Sequence, residues 1–101
     1  MKIDIKVLTG KGCKCCENLK PKMDEIAFEH GYNVEYVDVG DVNDLPLDLT
    51  GIPYVILNAD GMYINSWQGD MSKELLLQKI VKSVEIHNRR IMSEKVNVSD
   101  R

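Results

Sequence analysis

Cysteine occurs three times in this chain, always within Cys13-Lys14-Cys15-Cys16. Cys13 and Cys16 stand in a Cys-x-x-Cys frame, a spacing suited to reversible disulfide chemistry. The thiolate is the nucleophile in such exchange. Cys13, at the mouth of the segment, is the candidate attacking sulfur, and Cys16, one turn deeper, is the candidate resolving sulfur. Cys15 is read as an auxiliary thiol, a spectator or a rival to Cys16. A second chemistry is open to the same trio: holding a soft metal ion or sensing oxidant. Zinc usually takes four ligands. Three crowded thiolates fall short of that number, and His30 and His87 show no ligand spacing, so no metal ligand is assigned.

The elements around the cysteines give this chemistry its physical basis. Ile3, Ile5 and Val7 alternate with Asp4 and Lys6, as in a strand spanning residues 2–9. After the cysteines, Leu19, Met23, Ile26, Ala27 and His30 fall on one face of a helix expected over residues 15–29, with a kink at Pro21 and a stop at Gly31. The cysteines therefore sit where a strand turns into a helix. The first turn of a helix has unpaired N–H groups and partial positive charge. Lys11 and Lys14 add to that field. Thiols in such settings fall from about 8.5 to roughly 3.5–7.5 in pKa. Gly10 and Gly12 suit a tight turn that a partner backbone can approach closely.

Composition narrows the function class. With 101 residues, 44% hydrophobic and 29% charged, the chain is sized for one domain. The net charge of -3 argues against a nucleic-acid or anionic-membrane surface. No apolar run reaches the roughly 18 residues of a membrane span. The first residues lack the apolar core of a signal peptide, so a cytoplasmic location is expected.

Farther along, residues 33–39 alternate as a second strand, completing a βαβ unit expected to be parallel and right-handed. Residues 41–51 suit a short helix limited by Pro46, then turns. A third strand is expected at Tyr54-Val55-Ile56-Leu57, a hairpin turn at Asn58-Ala59-Asp60-Gly61 and a fourth strand over residues 62–67. Ser72 then caps an amphipathic helix carrying Leu75, Leu76, Ile80, Val81 and Val84. The pattern fades after His87. The division expected is a domain over residues 1–88 and a loosely held polar tail over residues 89–101.

This α/β order, β-α-β-short α-β-β-α with Cys-x-x-Cys at the first strand–helix junction, resembles the thioredoxin-like fold over residues 2–86. Pro21 stands five residues after Cys16, where that family carries a kinking proline, and Gly51-Ile52-Pro53 precedes the third strand. Gly10-Lys11-Gly12-Cys13 also looks like the small redox-active disulfide proteins of the superfamily. The resemblance implies a four-stranded mixed sheet with helices on its faces and a cis bond before Pro53. It also implies that Ile52 pairs through its backbone with a bound peptide. Gly12, Lys14, Ile52 and Pro53 are thus the expected substrate contacts.

The implied activity is thiol–disulfide exchange with protein disulfides by a monomer that binds no cofactor. Electrons would come from a reductase or from glutathione. The sequence departs from the family in several places. Gly12 replaces a tryptophan, the family's buried acid falls at Val7, and Gln68-Gly69-Asp70 matches only part of a glutathione site.

Overall fold

The structure is a computed structural model that describes residues 1–42 and 51–99, with the backbone alone for residues 93–99. Strand β1 spans Ile3–Thr9, helix α1 Lys14–His30, β2 Asn33–Asp38, β3 Tyr54–Ala59, β4 Met62–Gln68 and helix α2 Lys73–Ser99. The strands form one sheet in the order β2-β1-β3-β4, with β1 parallel to β2 and antiparallel to β3. This is the four-stranded mixed sheet that the resemblance implies. The short helix expected within 41–51 lies largely outside the described residues; a single 3-10 turn at Val39–Asp41 follows β2.

The alternation in β1 decides which face is covered. Ile3, Ile5 and Val7 are buried together with Val55, Leu57 and Ala59 of β3 and Trp67 of β4. Leu19, Met23 and Ile26 of α1 and Leu76 and Ile80 of α2 close over them, so both described helices lie on this one face. On the opposite face Lys6 is exposed and Asp4 and Asn58 are half-buried, whereas Leu8 and Tyr54, nearer the cysteines, are buried.

Local signals account for the element ends. The β3–β4 hairpin turns on Asp60 and Gly61, with φ of 51° and 81°. Two successive positive φ values are the signature of the type I′ turn that matches strand twist, and Gly61 adopts its value without a Cβ penalty. Ser72 caps α2, its Oγ accepting from the Leu75 amide at 3.2 Å. Pro21 lies inside a continuous α1. One expectation needs correction: residues 89–99, read as a polar tail, continue α2 through Ser99. Arg89, Arg90, Met92 and Lys95 are good helix formers, and no proline or glycine follows Gly69. Loss of apolar periodicity marks the end of packing, which need not coincide with the end of the helix.

Polar contacts fix α1 against the start of α2. Lys22 Nζ donates to Asp70 Oδ1 and to the Met71 carbonyl, both at 2.8 Å. Lys73 Nζ reaches Glu25 at 2.6 Å and Glu29 at 2.7 Å. The Lys73 hydrogen bond holds the Glu29 carboxyl below its ordinary value, but these groups are well solvated and such pairs contribute little.

Candidate functional site

The turn after β1 delivers the cysteines to the helix start. Gly12 takes φ 72° and Cys13 is the N-cap of α1, in extended conformation. Cys13 and Cys16 are joined by a disulfide, with their Cα atoms 5.2 Å apart. The Cys16 amide donates to Cys13 Sγ at 3.1 Å. A sulfur thus occupies the capping position where an oxygen usually sits, and it receives one of the helix's otherwise unpaired donors. Cys13 is half-buried, Cys16 is buried, and Cys15 is a free, exposed thiol. This is the depth order expected of an attacking and a resolving sulfur.

The Ile52–Pro53 bond is cis, as the resemblance implied. Pro53 is buried, and its carbonyl accepts from the Gly69 amide at 2.8 Å. A Cβ at Gly10 would lie 2.6 Å from Ile52 Cδ1. Glycine at position 10 therefore lets the loop carrying Pro53 pack directly on the turn carrying Cys13. Gly12 and Lys14 are exposed, and Lys14 Nζ sits 3.9 Å from Glu17.

A shallow cavity of about 180 Å³ opens beside the disulfide, lined by Thr9, Gly10, Cys13, Cys16, Glu17, Lys20 and Tyr36. Gly12, Lys14, Ile52 and Pro53 do not line it. Glu17, Lys20 and Tyr36 were absent from the sequence-based set. A signal for them existed: Cys13, Glu17, Lys20 and Asp24 follow helical spacing, and β2's alternation puts Tyr36 opposite Val7 on the covered face.

Tyr36 is held at both ends. Its hydroxyl contacts Asp24 Oδ1 at 2.6 Å and the Lys20 carbonyl at 3.1 Å, and Lys20 Nζ stands 5.2 Å from its ring centroid. Burial, then the hydrogen bond and charge of Asp24, push the phenol above its ordinary 10.0. Raising the folded-state value of an acid stabilises the protonated form. That contribution is full below pH 10 and is lost as pH rises through the folded value. In an ultraviolet alkaline titration, Tyr36→Phe should remove a phenol that ionises above the ordinary 10.0. Loss of a phenol that ionises at or below 10.0 instead would contradict the assignment.

The other aromatic residues are placed by packing. Tyr54 is buried with its hydroxyl 2.8 Å from Ser66 Oγ. Trp67 packs in the core, with Lys79 Nζ 5.7 Å from its ring centroid, whereas Tyr63 is exposed. His30 is exposed at the end of α1 and stacks on Tyr32. Among the described residues no group of three His, Cys, Asp or Glu side chains is placed to hold a metal, and no helix is long and apolar enough to cross a membrane.

The architecture matches solved structures over most of the chain. A mutant thioredoxin of Halobacterium salinarum superposes with a TM-score of 0.72 at 21% identity, covering 81% of this chain and 74% of that one. The fold is that of thioredoxin. Thioredoxin 1 of Thermosipho africanus gives 0.68 at 23% identity, over 84% of this chain and 98% of that one. Fasciola hepatica thioredoxin gives 0.70 at 20% identity, over 81% of each. The sequence matches no protein-family model and no curated protein. Within the thioredoxin fold, the cysteine pair of this chain sits at the β1–α1 junction and the cis-proline at the head of β3.

Proposed function

We propose that this chain is a thiol–disulfide oxidoreductase acting on disulfide-containing proteins through Cys13 and Cys16. One observation carries the reading. The two cysteines are bonded at the mouth of a helix, the outer sulfur receives a backbone N–H, and an open cavity lies alongside.

In the reducing direction, the Cys13 thiolate attacks one sulfur of the substrate disulfide. The substrate S–S bond breaks, the attacked sulfur stays bonded to Cys13, and the other substrate sulfur leaves as a thiolate that takes a proton. The Cys16 thiolate then attacks Cys13 Sγ, forming the intramolecular bond and releasing the second substrate thiolate. The substrate gains two electrons and the cysteine pair loses two. Negative charge on Cys13 Sγ is met by the Cys16 amide and the helix dipole. Gly12, Lys14 and the Ile52–Pro53 backbone would bear on the polypeptide carrying the target disulfide. A reductase or glutathione would return the electrons, to a monomer in the cytoplasm that needs no bound cofactor.

Cys15 keeps a second reading in play, because it is exposed in the same turn: the reduced trio could bind a soft metal or register oxidant. Thiol counting with metal analysis on the same sample separates the two. The oxidoreductase should show three free thiols when reduced, one after mild oxidation, and turnover of insulin disulfides. Stoichiometric metal without turnover would favour the second reading.

A further inference from the structure

The cavity beside the disulfide is lined by a lysine, Lys20, that makes no ion pair among the described residues. Lys14 pairs with Glu17, Lys22 with Asp70, and Lys73 with Glu25 and Glu29. Lys20 Nζ makes no ion pair among the described residues. It lies over the Tyr36 ring, and the Tyr36 hydroxyl already occupies Asp24, the acid one turn along from Lys20. Tyr36 is thereby held as a wall of the space that Cys13 and Cys16 share, and Lys20 lines the same space. Among the described residues Glu17 is the one acid lining that space, and Lys14 Nζ stands 3.9 Å from it.

We propose that Lys20 is a specificity-determining residue that selects disulfides bearing a carboxylate close to the reacting sulfurs. This rests on the oxidoreductase reading and names its substrate class. An incoming carboxylate seated against Tyr36 meets the ammonium over that ring and displaces no ion pair among the described residues. The carboxylate can belong to a small disulfide or to an acidic side chain beside a cysteine in a polypeptide. In either case the reduced cysteine pair gives two electrons to the substrate disulfide and leaves two substrate thiols.

The test is single-turnover oxidation of the reduced protein by dithiodiglycolate, which is anionic, and by hydroxyethyl disulfide, which is neutral. The ratio of the two second-order rate constants is compared between variants, so the intrinsic reactivity of each reagent cancels. Lys20→Met should lower the ratio by about two- to fivefold, the range of an exposed ion pair, with the effect shrinking as salt is raised. Lys20→Arg should keep the ratio, Lys20→Glu should lower it further, and Glu17→Gln should raise it. A merely structural role for Lys20 would slow both reagents alike.

A second arm uses disulfide-linked peptides with Glu or Gln beside the cysteine. A fall in both ratios for Lys20→Met assigns the carboxylate to polypeptide substrates, and a fall with dithiodiglycolate alone assigns it to small disulfides. The inference is overturned if Lys20→Met leaves both ratios unchanged, or if Lys11→Met, at a lysine outside the cavity, moves them as much. Failure of the wild type to react with any of these disulfides would overturn the oxidoreductase reading as well.

Discussion

Cys13→Ser should reduce disulfide turnover on the order of a thousandfold or more, because it deletes the nucleophile itself. Serine is close in shape, and its hydroxyl is an ordinary N-cap for the Cys16 amide. Folding should therefore survive, and the loss can be read as chemistry. Cys16→Ser should fail differently. Cys13 can still attack, but no second sulfur stands below it, so mixed disulfides with substrate accumulate and turnover stalls after one event. Cys15→Ser should keep most activity, since Cys15 is exposed and outside the Cys13–Cys16 bond. Mass spectrometry of acid-quenched mixtures, beside insulin turnover, reads all three. Equal loss from Cys15→Ser and Cys16→Ser would remove Cys16 from the resolving role.

The depth difference between those two neighbours was legible in the chain because it is local. A helix starting just after Cys13 brings Cys16 back beneath Cys13 within one turn, whereas Cys15 projects about 100° away around the axis. Strand alternation in β1 and the Asp60-Gly61 turn were legible for the same reason: each depends on a few adjacent residues. What the chain hid was pairwise and distant. That Gly10 is small because Ile52 Cδ1 lies against it depends on two positions 42 residues apart. That Tyr36 walls the cavity requires β2 to pair with β1 in one register, Val7 opposite Tyr36. Alternation gives Tyr36 its face, but neither the β1–β2 register nor the Gly10–Ile52 contact has a periodic signature. The end of α2 at Ser99 is hidden for a third reason. Apolar spacing reports where a helix is packed, and helix-forming residues can continue the backbone beyond that point.

Leu19→Ala should destabilise the fold by about 2–5 kcal/mol, whereas Phe28→Ala, on the same helix and removing a larger side chain, should change it by less than about 0.5 kcal/mol. Leu19 has no exposed surface and packs in the cluster with Ile3, Ile5 and Val7, while Phe28 is 90% exposed. Size alone would rank them the other way, and burial decides. Leu19 also lies one turn beyond Cys16, on the face of α1 that meets the sheet. A cavity there loosens the first turns of the helix, and with them the amide that faces Cys13 Sγ. Urea unfolding of the reduced and oxidised forms measures both effects. The Cys13–Cys16 bond closes a loop of only a few residues, so it constrains the unfolded chain little. A Leu19→Ala penalty larger in one redox state than in the other would therefore report native-state coupling between the core under α1 and the cysteine turn. A penalty below about 1 kcal/mol in both states would mean that α1 is not seated on the sheet through Leu19.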